Sequence, residues 1–155
     1  MQTHLFARRT TASVAAIALS GAALALGAGP SSADDSQGGR PLVAALSGAN
    51  EVGGGDPDGF GTARITVNPG KNLVCFDISV TNVEGVVAGH IHEAAAGSNG
   101  KIVLGLFAGR STGLQGCVTP TGTTAREVLK DPASYYVNVH STAFPSGAVR
   151  CQLSK

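Results

Sequence analysis

The sequence predicts an all-β domain, a Greek-key β-sandwich of about seven or eight strands with one short helix near residues 125–131. Three observations carry that expectation. From Pro41 to the C-terminus, short apolar stretches are separated by breaks rich in Gly, Pro, Asn and Asp, the pattern of strands joined by tight turns. Within the stretches apolar and polar residues alternate with the two-residue period of a strand that buries one face. A single capping-box signature marks the helix.

The N-terminal residues read as a targeting segment. Arg8 and Arg9 precede an apolar run from Ala12 to Ala28, and Pro30-Ser31-Ser32-Ala33 then leads into Asp34-Asp35. A basic start, an apolar middle and a small-residue end describe a secretory signal peptide over residues 1–33, cleaved after Ala33. The run is rich in Ala and Gly and falls short of the roughly 20 apolar residues that span a bilayer, so no membrane span is expected after cleavage. Removing 33 of 155 residues leaves 122, enough for one hydrophobic core. Losing Arg8 and Arg9 takes Lys plus Arg from 11 to 9 against 10 acidic residues, a formal charge of −1. With no basic cluster, neither nucleic acid nor an anionic membrane surface is an expected partner.

Residues 34–41 form a polar, Gly-rich, flexible lead-in to a domain over residues 42–155. A first strand covers Pro41 to Ser47, and Asn50 to Gly59 is a flexible loop. Phe60 to Val67 is a strand, and Asn68-Pro69-Gly70-Lys71 is a turn by its chemistry. Asn72 to Thr81 alternates most cleanly: Val74, Phe76, Ile78 and Val80 face the core, with Cys75 on the side of Asp77. Val86 to Glu93 is a strand, Ala94 to Gly100 a loop of small residues, and Lys101 to Phe107 a strand. A short strand around Cys117-Val118 precedes the capping box Thr124-Ala-Arg-Glu127, and Asp131-Pro132 stops the helix. Tyr135 to His140 is a strand, Phe144 to Gly147 a turn, and Ala148 to Leu153 closes the domain.

Three segments in order carry a family resemblance: Leu46-Ser-Gly-Ala-Asn-Glu-Val52, His90-Ile-His92 with its loop, and Asp131 through Arg150, including YYVNVH and FPSGAVR. Over roughly residues 42–155 the chain resembles the CHRD domain, named after the repeats of chordin and common in secreted bacterial proteins. In chordin these domains belong to an extracellular antagonist of bone morphogenetic proteins. Single-domain bacterial members carry no agreed activity, so the resemblance implies fold and an extracellular location, with an unknown extracellular protein or ligand as partner and a monomeric chain. Cys75, Cys117 and Cys151 allow three pairings. The resemblance implies a Cys75–Cys117 disulfide, with Cys151, where the family usually has Gly, as a free thiol. Cys151 shares a face with Val149 and Leu153, which suits a buried thiol.

Chemistry-bearing residues concentrate in the histidines. In a strand over 86–93, His90 and His92 share a face and Ile91 points into the core. In the strand over 135–140, Tyr135, Val137 and Val139 form the core face, leaving Tyr136, Asn138 and His140 outside. If the two strands are neighbours, three imidazoles can converge on one copper or zinc ion with an open position. Gly89-His90-Ile91-His92-Glu93 is similar to a segment of copper/zinc superoxide dismutases, in which two strand histidines bind copper. Ala94 to Gly116 contains no bridging histidine and no zinc-binding cluster follows, which argues against dismutation. Gly109-Arg-Ser-Thr-Gly113 has the Gly-x-Ser-x-Gly spacing but lies in the connection between two expected strands rather than in the strand-to-helix turn of a nucleophile elbow, and Asp56 and Asp58 lack the closing Glu of an EF-hand. Asn50 and Glu51 are expected to anchor the start of the domain, and Arg150 to pair with an acidic neighbour. The sequence therefore favours a non-catalytic binding or structural module, without a catalytic residue or a required cofactor, over a three-histidine metalloprotein.

Overall fold

Leu42, Ala44 and Leu46 project from one side of the first strand, and each is at least nine-tenths buried while Val43 and Ala45 face solvent. The same alternation recurs in most strands and sets one continuous core. The structure, a computed structural model, describes residues 38–109 and 114–155. The expected signal segment 1–33, the cleavage expected after Ala33 and lead-in residues 34–37 lie outside the described residues.

Eight strands form: β1 (Arg40–Ser47), β2 (Phe60–Asn68), β3 (Leu73–Thr81), β4 (Val86–Glu93), β5 (Lys101–Ala108), β6 (Gln115–Val118), β7 (Tyr135–Ser141) and β8 (Val149–Gln152). All pair antiparallel in a single ladder of order β5-β4-β7-β8-β1-β2-β3-β6. The all-β expectation holds, with the strands joined in one sheet that rolls toward a barrel. Phe76 of β3 and Phe107 of β5 pack with ring centroids 6.0 Å apart, bringing opposite ends of the sheet together. The weak seam lies between β1 and β8, which share the register pair Ser47–Arg150 and are helped by the bridge Val43–Ser154.

Ile65, Ile91, Val137, Val139 and Val149 are fully enclosed within this core. Each such side chain contributes roughly 1.5–3 kcal/mol relative to exposure. Lead-in residues 40 and 41 already belong to β1, because Arg40 and Pro41 pair in register with Val67 and Thr66. The loop between β1 and β2 is held: the Asp56 amide donates to the Ala148 carbonyl at 2.8 Å.

The helix α1 spans Thr124–Lys130, with Ala125 and Val128 buried against the sheet. It does not use the expected capping box. Thr123 is the N-cap, so Glu127 falls one position too late to reach back to the cap amide, and its carboxylate instead accepts the Thr123 hydroxyl at 2.6 Å.

Candidate functional site

β7 lies between β4 and β8, although 41 residues separate the end of β4 from the start of β7 in sequence (135 less 93, minus one). Its register sets Ala88 opposite His140, His90 opposite Asn138 and His92 opposite Tyr136. His90, His92 and His140 therefore rise from adjacent strands on the side away from Ile91. One ligand atom from each lies within 4.8 Å of the others. The strand pairing on which convergence depended is present.

Backbone carbonyls orient two of the rings. His92 Nδ1–H donates to the Gly100 carbonyl at 2.9 Å, and His140 Nδ1–H donates to the Pro145 carbonyl at 3.0 Å. These bonds place a proton on Nδ1 of each ring and leave Nε2 as the acceptor position. His140 Nε2 accepts from His90 Nδ1 at 3.0 Å. Among the described residues His92 Nε2 has no partner, although the residue is only 8% exposed. A buried acceptor left unpaired costs about 1–3 kcal/mol. Burial pushes His90 down to about 4, with the neighbouring His140 and His92 reinforcing it. Burial also lowers His140, against the opposing effect of its bond to Pro145. Both rings are accordingly neutral at neutral pH.

The face carrying these rings is covered. Tyr136 is 2% exposed, where alternation alone left it outside. Its ring stacks on His92, with centroids 4.8 Å apart and planes 11° apart, while its hydroxyl accepts the Gly100 amide at 3.2 Å. The Arg150 guanidinium lies 4.0 Å from the Tyr136 ring centroid, so His92, Tyr136 and Arg150 stack across three neighbouring strands. Arg150 was expected to pair with an acidic neighbour; its charge acts on Glu51, and its guanidinium donates to Asn99 Oδ1 at 3.0 Å and to the Ser98 carbonyl at 2.9 Å. With Gln152 Nε2 donating to the Ala94 carbonyl at 2.9 Å, the 94–100 loop is pinned over the sheet.

The remaining candidates lie outside this cluster. Asn50 Nδ2 donates to the Arg150 carbonyl at 3.1 Å, so its anchoring role is present. Glu51 Oε1 is buried without a partner; burial raises its pKa to about 7 despite the opposing Arg150 charge. Cys75 and Cys117 face each other in the β3–β6 register and are joined as a disulfide. Cys151 is free and half-buried, less enclosed than its shared face with Val149 and Leu153 suggested. Glu93 pairs with Lys101 at 2.9 Å, an exposed ion pair outside the triad.

Sequence reasoning located the histidines and missed the carbonyls that aim them. A small-residue loop immediately after His92 was the available signal for the first. The Pro145 turn soon after His140 was the signal for the second.

The fold and site thus define an all-β module with a preformed cluster of three imidazoles on one sheet face. The chain belongs to the CHRD domain family, whose model matches residues 42–153. No curated protein and no solved structure matches the chain.

Proposed function

We propose that this CHRD protein is exported and works outside the cell as a non-catalytic binding module, with the imidazole face of β4 and β7 as its binding centre. The observation that carries the binding role is the buried Nε2 of His92, without a partner among the described residues, beside two further imidazoles. It is an acceptor held ready by the fold, beneath a loop that Arg150 keeps in place.

Two features support the compartment. The Cys75–Cys117 disulfide suits an oxidising environment. The sequence before Asp34 has the layout of a cleavable export signal.

Expression from the natural leader tests the export reading. The expected product is recovered from the medium, begins at Asp34, and carries one disulfide linking the tryptic fragments of Cys75 and Cys117. Retention in the cytoplasm with all cysteines reduced would contradict it.

A further inference from the structure

Resting on the binding role proposed for this face, we propose that His90, His92 and His140 form a site for a late first-row transition-metal ion, with copper(II) held more tightly than zinc(II). Their ligand atoms already lie within 4.8 Å of one another. Donors around a tetrahedral ion with bonds of about 2.0–2.1 Å sit about 3.3 Å apart, so closure needs only about 1.5 Å at the widest gap. His90 and His140 are only partly buried, so they are the members that would make that adjustment. His92 is the enclosed, fixed member.

The surroundings are those of a built site. The Gly100 and Pro145 carbonyls each accept a hydrogen bond from Nδ1–H, so that Nε2 of each ring carries the lone pair, the outer arrangement that orients metal-bound histidines. The stack of His92 on Tyr136 fixes the ring plane. His92 Nε2, in a residue more than nine-tenths buried, has no other partner among the described residues. Metal coordination would satisfy it, and the hydrogen bond now linking His90 to His140 would be exchanged for two bonds to the ion, the His90 proton moving from Nδ1 to Nε2 by tautomerisation so that Nδ1 can ligate.

The donor set selects the ion. Three imidazole nitrogens without a carboxylate are a poor match for calcium or magnesium, which take oxygen ligands. Imidazole suits copper and zinc, and at an unconstrained nitrogen site copper(II) exceeds zinc(II) in affinity. Three neutral ligands leave the ion's charge uncompensated and a coordination position open. Water or a small anion would enter from the side of His90 and His140, the half-exposed members.

The test uses the exported protein, purified without a polyhistidine tag or chelator, loaded with copper(II) or zinc(II) and desalted. The expected result is about one ion per chain, with copper displacing zinc and a copper(II) resonance spectrum split by nitrogen nuclei. His92→Ala and His140→Gln should each retain less than a tenth of the metal, and Cys151→Ser should retain all of it. Circular dichroism checks that the variants fold. Should both histidine variants unfold, zinc titration of the unaltered protein followed by imidazole proton resonances decides the matter. Shifts of all three rings, complete at one equivalent, support the site.

No retained metal, equal retention in the histidine variants, or loss of metal in Cys151→Ser would overturn it. Export is read separately in the medium. An exported protein that holds no metal removes this site and leaves the module, whereas metal bound by a protein that never leaves the cytoplasm does the reverse.

Discussion

Glu51 lies directly under Gly147, where a β-carbon would come within 2.5 Å of its carboxylate oxygen. Gly147 also has φ +144°, so both the close approach and the backbone favour glycine there. The enclosure that requires glycine also strips water from Glu51. Its folded-state pKa of about 7 lies above the ordinary value of 4.5, chiefly through desolvation and against the pull of Arg150. The folded protein therefore binds more protons than the unfolded chain between those values, and stability falls as pH rises through that window. Glu51→Gln keeps the shape and removes the charge. It is expected to match the parent near pH 4 and to be the more stable protein at pH 8, as measured by urea unfolding at both pH values. Parallel pH profiles would show that the carboxylate is better solvated than its burial implies.

At the scale of elements, β4, β7 and β8 act together through the stack of His92, Tyr136 and Arg150. β4 also meets β5 closely at Gly89, where a β-carbon would stand 2.3 Å from the Phe107 ring. Arg150 is 1% exposed, and its partners on the 94–100 loop make it a clamp as well as part of the stack. Arg150→Met keeps much of the apolar stem and removes the donors. The charge-assisted hydrogen bonds to Asn99 and Ser98, both exposed residues, are lost, so a destabilisation of about 1.5–3 kcal/mol is expected in chemical unfolding. The Gly100 amide, which donates to Tyr136, should exchange with solvent faster as the loop loosens. Unchanged exchange at Gly100 would mean that Gln152 and the turn itself suffice to hold the loop.

For the molecule as a whole, the disulfide ties the short edge strand β6 to β3 across the directly opposed pair Cys75–Cys117. The link closes a sequence separation of 42 residues. The chain-entropy account assigns a loop of that length about 4 kcal/mol. Replacing both cysteines by alanine is expected to lower unfolding stability by about that much at most, since residual order in the unfolded chain reduces the gain. Denaturation of the double variant beside the oxidised parent measures it. A loss well under 1 kcal/mol would show that β6 is held by packing alone. The staple joins β3 to the edge strand β6, whereas the imidazole cluster stands on β4 and β7, so the two features involve different strands and are separable by mutation.

Local alternation by itself determined that His90 and His92 share a face, that Ile91 is core, and that Tyr135, Val137 and Val139 form the buried side of β7. Those properties depend on a two-residue period and need no knowledge of distant contacts. Only tertiary structure decided that β4 pairs with β7, which turns a His-x-His segment and a distant His140 into one cluster. It also decided what covers the second face. Alternation put Tyr136 and Asn138 outside, and the folded-back 94–100 loop with Arg150 buries the first, while both lie at most 3% exposed. The helix start moved in the same way, since Thr123 and Thr124 are alike as caps and the chain's path chose Thr123. Periodicity states which way a side chain points; what waits there depends on contacts between residues far apart in sequence, and here those contacts separate a solvent-facing histidine pair from an enclosed imidazole centre.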